Sequence, residues 1–207
     1  QTAMQGLSSL SKFNTLKATS GDTAVYTASA ASSAVAGSYA ITVTQLAEAQ
    51  KLASKVFTNI TDSVGTGTLT FQFGTASGGV FTANSAKATQ TVTIGSANST
   101  LSGVRDAINA AKIGVSASIL NDGTGNKLVI TSNDTGAANS LKITVADTSD
   151  ASNTDNAGLS QLAYDPAVVG VPPLPGKNLT ETVVAKNATL TVDGITGISK
   201  ASNTVTD

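Results

Sequence analysis

Asp147, Asp150 and Asp155 lie in one polar run, Asp147–Asn156, and crowded carboxylates are what a hard cation such as calcium takes as ligands. The spacing departs from a helix-loop-helix calcium loop: no Gly sits at its turn position and no Glu closes it. A solvated loop is expected, with no metal site. Gly65-Thr66-Gly67 and Gly78-Gly79 are glycine-rich enough to cradle a phosphate, but neither pair is framed as a phosphate loop or dinucleotide fingerprint. Hairpin turns are expected there instead. The sequence contains no His and no Cys, which removes Ser-His-Asp and Cys-based nucleophilic catalysis, structural zinc and disulfides. Asn-X-Ser/Thr sequons at Asn59, Asn98, Asn133, Asn178 and Asn187 are expected by chance in a chain this rich in Asn and Thr. Arg105 and Asp106 are expected on a solvated helix face, with a subunit contact as the sharper alternative. No catalytic, cofactor-binding or metal-binding residue is assigned, no cofactor is implied, and partner-binding residues stay unassigned.

The elements that would carry any surface are clearest between residues 99 and 145. Leu101, Val104, Ile108 and Ala111 recur at helical spacing, Ser99 or Thr100 can cap the first turn, and Gly114 is expected to end the helix in a left-handed conformation. Val115, Ala117 and Ile119 alternate with small polar residues, Asn121–Asn126 supplies a turn, and Leu128–Ile130 returns as a strand. Further strands are expected at Tyr39–Val43, Thr68–Phe73, Val80–Ala83, Thr91–Ile94 and Ala188–Val192, the last followed by a turn at Asp193-Gly194. Gln45–Lys55 fits a short helix or a strand extension equally well. Met4, Leu7, Leu10 and Phe13 read as the tail of a helix that begins upstream, and Lys12–Ala36 as weak strands and loop. Leu159, Leu162 and Tyr164 suggest a helical turn, and the Pro-rich run Val171–Gly176 a crossing between domains. Phe57, Phe71, Phe73, Phe81, Tyr39 and Tyr164 are expected in or beside the core.

At 207 residues the chain can hold one large domain or two small ones. Its 12 basic and 13 acidic residues leave a net charge of −1, so it has no electrostatic footprint for nucleic acid or an anionic membrane. No run of about 18 apolar residues is present to span a bilayer. Charged residues make up 12%, roughly half the usual share, so partners would be recognised by shape and hydrogen bonds. No signal peptide is visible, and because Gln1 is not an initiator, further sequence is expected on either side.

Ser99–Val145 resembles the flagellin-type insertion motif, above all in Leu101-Ser102-Gly103-Val104-Arg105-Asp106-Ala107-Ile108-Asn109, Ile113-Gly114-Val115 and Asn121-Asp122-Gly123. Gly37–Gln50, Ala188–Gly194 and Ser202–Asp207 resemble the bacterial flagellar filament cap family, also called the hook-associated protein 2 or FliD family. Ser11-Lys12-Phe13-Asn14 is similar to the end of that family's N-terminal helix. The resemblance implies a central fragment, mainly β with minor α, of two β-rich domains, the second inserted into the first. Residues 1–18 would end a helical leg domain. Residues 19–56 and 180–207 would form the discontinuous domain, and 57–179 the insert, with one amphipathic helix at about 100–112.

The resemblance further implies a non-enzymatic assembly role at the distal tip of the extracellular filament. There, full-length subunits would form a closed ring of about five or six copies and help exported flagellin fold and insert. Expected partners are other copies of the protein, flagellin and hook-associated proteins, with no nucleic acid and no membrane. Export would use the flagellar apparatus without a cleaved signal peptide. A second reading is a filament-tip adhesin or hook-associated junction domain that binds host mucin or glycan. A third, a carboxylate-based glycosidase, lacks a pair of acids in an identifiable pocket.

Overall fold

The computed structural model describes residues 16–150 and 152–206; the helix expected at Met4–Phe13 lies outside them. The fold is mainly β, with one α-helix among the described residues. Two compact units are present, Gln1–Val43 with Leu190–Gly197, and Thr44–Thr189 with Ile198–Asp207.

The longest strand organises the second unit. In β3 (Gly67–Ser77), Leu69, Phe71 and Phe73 alternate with Thr68, Thr70 and Gln72, so one face is apolar and the other polar. The preceding strands are β1 (Ile41–Gln45) and β2 (Lys51–Ala53). One edge of β3 takes β4 (Val80–Ala83) and β5 (Gln90–Ile94) in succession, with Phe71 opposite Gln90 and Gly74 opposite Ala83. Along the other edge runs β8 (Ser140–Asp147), with Phe71 opposite Ile143. The intervening strands are β6 (Val115–Asn121) and β7 (Asn126–Ser132), and after β8 comes β9 (Thr180–Val183). These join β2 in a second antiparallel sheet, ordered β6-β7-β2-β9. Its buried Leu52 lies opposite Ile130, which in turn faces Ala117.

Helix α1 (Leu101–Ala111) closes the core. The Thr100 hydroxyl accepts the Gly103 N–H at 3.1 Å, the expected cap. Leu101, Val104 and Ile108 join the inner faces of both sheets in one apolar cluster. Two details differ from the periodic reading. Ala111 is exposed, its place in the stripe taken by the partly buried Ala107. The left-handed residue that ends the helix is Lys112, at φ 50°, two residues before Gly114. From the last turn of the helix, Asn109 pairs with both backbone groups of Ala117: its Oδ1 accepts the N–H and its Nδ2 donates to the carbonyl, each at 2.8 Å.

Within Gln45–Lys55 no helix forms: Gln45 ends β1, Glu48 makes an isolated bridge to Lys186, and Lys51–Ala53 is β2. Leu52 fills a gap between β7 and β9 that only extended backbone can bridge with hydrogen bonds on both sides. Buried Gln50 reinforces this position: its Nε2 donates to Glu181 at 2.5 Å and its Oε1 accepts the Leu141 N–H at 2.6 Å. The weak strands expected before Ala36 are absent among residues 16–40, where Leu16, Val25 and Val35 are exposed and nothing packs on them closely enough to order a sheet. Tyr39 is likewise exposed and precedes β1. A third sheet has the order β1-β10-β11, with β10 at Ala188–Val192 and β11 at Ile195–Lys200 joined by the expected Asp193-Gly194 turn. Asp193 ties this turn to Ala40, whose N–H donates to the carboxylate at 2.6 Å.

Replacing Ile108 with Ala is expected to cost about 2–5 kcal/mol, because a fully buried side chain leaves a cavity among three packed elements. Replacing Thr100 with Ala is expected to cost about 0.5–2 kcal/mol through the lost cap. Urea unfolding of the two variants measures both, and a smaller loss at Ile108 than at Thr100 would contradict this packing.

Candidate assembly surface

The acidic run forms an ordered corner at the end of β8. Asp147 accepts the Ser149 N–H (2.7 Å) through Oδ1 and the Ser160 N–H (2.8 Å) through Oδ2. The Ser160 hydroxyl donates in turn toward Asp155 and the Ala157 carbonyl. Asn178, buried below, sends its amide to the carbonyls of Thr154, Asp155 and Ser160. Carboxylates saturated by N–H and O–H donors in this way have a structural use, and no metal-binding group of His, Cys, Asp and Glu occurs among the described residues. Burial pushes the Asp147 carboxyl up, but the hydrogen bonds from Ser149 and Ser160 outweigh it and hold the group below its ordinary value.

Gly65 and Gly158 let two backbones touch at this corner. Gly65 adopts φ +122°, and a Cβ there would run into the backbone of Gly158 and Leu159; at Gly158, φ +51°, a Cβ would strike Asp147 and Asp150. Gly65-Thr66-Gly67 is therefore a backbone contact leading into β3 and not the hairpin turn expected, whereas Gly78-Gly79 does turn β3 into β4. The 3-10 turn Leu159–Leu162 follows as expected and is wholly buried. Val171–Gly176 lies within the second unit, where Leu174 and Lys177 exchange backbone hydrogen bonds and the Gly176 carbonyl accepts the Asp165 N–H.

A cleft of about 510 Å³ lies beside the corner, lined by Lys55, Phe57, Asp62, Val64, Ala157 and Gln161 among others. Gln161 donates to the carbonyls of Val64 (2.7 Å) and Gly158 (2.6 Å), while Lys55 reaches the Asn156 carbonyl at 3.2 Å. These groups support the loops on either side of the cleft and assemble no nucleophile with a base.

Several other polar residues also have structural partners. Arg105 and Asp106 pair with each other at 2.8 Å on the exposed face of α1. The Asp106 carboxyl is held low by its hydrogen bond from Arg105. Asp122 pairs with Lys127 at 2.7 Å and accepts from Thr124, which lowers its pKa. Among the sequons, Asn178 is buried and Asn187 bridges the Ala137 N–H and the Ser199 hydroxyl. Buried Tyr164 has its phenol raised first by burial and then by Glu181. Phe57, Phe71 and Phe73 are core residues, and Phe81 is half-buried beneath Lys142. What stays exposed is a surface of hydroxyls, amides and scattered Val, among them Val80, Val169 and Val171.

The D2-D3 domains of the flagellar cap protein FliD from Escherichia coli have this fold. The crystal structure superposes with a TM-score of 0.67 at 38% identity, covering 86% of this chain and 80% of that one. This chain belongs to the flagellar hook-associated protein 2 family. The model for the flagellar hook-associated protein 2 N-terminus matches residues 1–50, and that for the flagellin hook IN motif matches residues 68–134. The second match thus takes in β3 to β5 as well as α1 and the β6-β7 hairpin, and ends before β8. FliD from Pseudomonas aeruginosa superposes with a TM-score of 0.64 at 37% identity, covering 84% of this chain and 71% of that one. Flagellar hook-associated protein 2 of Escherichia coli K12 is 38% identical over the whole chain, and the B-type protein of Pseudomonas aeruginosa 37%. The chain covers 40% and 41% of those relatives' lengths.

The lowered pKa of Asp147 fixes the sign of a pH effect. Its contribution to stability is complete above the ordinary carboxyl pKa of about 3.9 and is lost as pH falls through the lower folded-state value. Asp147→Asn is expected to flatten this part of the acid limb of the stability curve. Urea midpoints between about pH 5 and 2 check it, and an acid limb identical to that of the parent chain would refute the assignment.

Proposed function

We propose that this chain is the outer, β-rich part of a flagellar filament cap that sits at the distal tip of the filament and promotes folding and insertion of exported flagellin, without catalysis. The observation that carries the reading is the match to the FliD D2-D3 domains along most of both chains. The saturated corner at Asp147 and the self-paired Arg105 and Asp106 support it, because they leave a polar and rigid surface without a reactive group.

In this reading residues 19–56 and 180–207 form a discontinuous domain around an insert at 57–179, an order supported by the sheet that places Ile41–Gln45 beside Ala188–Val192. Full-length subunits form a closed ring of about five or six copies next to flagellin and other hook-associated proteins, outside the cell after export by the flagellar apparatus. The rigid β surface covers the channel exit, and segments beyond this chain move to open one insertion site at a time. Its hydroxyl and amide side chains make lateral contacts by shape and hydrogen bonding.

Deleting the gene is expected to leave bacteria with short or absent filaments and monomeric flagellin in the medium, restored by the full-length gene in trans. Electron microscopy and immunoblots of the medium read the result; filaments of normal length with no leaked flagellin would overturn the proposal.

A further inference from the structure

Past β11 the chain runs through Ala201–Thr204 with every residue exposed, so buried apolar surface contributes little to holding it down. Side-chain hydrogen bonds do so instead. The Ala47 N–H donates to Asn203 Oδ1 at 2.7 Å, Asn203 Nδ2 donates to the Ala47 carbonyl at 3.0 Å, and the Thr135 hydroxyl donates to the Ala201 carbonyl at 2.6 Å. A turn within the segment, from the Thr204 N–H to the Ser202 hydroxyl at 3.1 Å, shapes it locally.

The surface that receives this segment is held by bonds of its own. Glu48 and Lys186 exchange backbone hydrogen bonds at 2.9 and 3.1 Å, the Gly136 N–H donates to the Glu48 carbonyl at 3.2 Å, and the Ala137 N–H donates to Asn187 at 2.8 Å. None of these involves Ala201–Thr204. Lifting the segment would therefore break three hydrogen bonds to the body and leave the receiving surface intact. Ala47 is only 5% exposed and its N–H donates to Asn203, so departure of the segment removes the hydrogen bond that protects this N–H.

We propose that Ala201–Thr204 is a releasable strap that docks and undocks on Ala47 and Thr135 as a unit while the core stays folded, alternately covering and baring both backbone groups of Ala47. Its basis is local geometry, independent of the cap reading. Asn203 acts as the latch because its primary amide carries the donor and the acceptor that one backbone residue needs.

Hydrogen exchange on the 207-residue chain tests it. The Ala47 amide is expected to exchange about a hundredfold faster or more than those of Phe71 and Ile130 in central strands, through opening that leaves the core folded. Asn203→Ala is expected to speed Ala47 exchange about tenfold further, and Thr135→Val to speed it by a smaller factor, with Phe71 and Ile130 unchanged. The Thr135 variant keeps the test decisive should Asn203→Ala not fold. Ala47 exchanging at the core rate, or failing to respond to either substitution, would overturn the strap.

Discussion

Every backbone N–H and C=O taken out of water needs a partner, and in a chain of short strands this demand falls heavily on places where the ladders stop. Asparagine and glutamine amides meet it here. Asn109 completes Ala117 at the edge of β6, and Asn203 does the same for Ala47. Gln50 links the start of β8 to β9, and Asn178 gathers three carbonyls beneath the Asp147 corner. A primary amide offers donor and acceptor together without the desolvation cost of a charge. The low charge content thus has a structural counterpart, in which amides and hydroxyls join a few ion pairs, such as Glu48–Lys186 and Lys87–Asp134, as the stitches between distant segments.

Those stitches operate around a core that is conventional in its chemistry. The alternation in β3 places Leu69, Phe71 and Phe73 on one face, and the stripe of α1 joins them to Leu52, Leu128 and Ile130 of the other sheet. Because these residues come from distant parts of the second unit, removing any one loosens several elements together. The Asp147 corner extends this order into a segment without regular secondary structure, and the close approach of Gly65 and Gly158 lets two loops pack without side chains between them.

Legibility in the sequence followed the range of the interactions. Strands β3 to β7 and helix α1 were readable because alternation and 3.6-residue spacing are local consequences of burying one face. The segment around Leu52 could not be assigned, since its strand state depends on β7 and β9, which lie about 75 and 130 residues onward in the chain. The carboxylates at 147, 150 and 155 are visible in the sequence as a group whose spacing departs from a calcium loop. Their ordering through Ser160 and Asn178 left no local signal. Asn203 and Asn109 were equally silent, because an asparagine that latches a backbone residue has the same spacing as one in a solvated turn.

Taken alone, the sequence determined the types of the strongly periodic elements, the polar surface, the absence of His and Cys chemistry and, through its motifs, the family resemblance. These follow from side-chain chemistry and periodicity, which are properties of neighbours along the chain. Only the tertiary structure decided that Lys51–Ala53 is a strand, that Lys112 ends the helix, that Gly65 is a contact and not a turn, and that Asn203 closes on Ala47. Each of those depends on which distant backbone group lies within hydrogen-bonding or packing distance, and that distance exists only once the chain has folded.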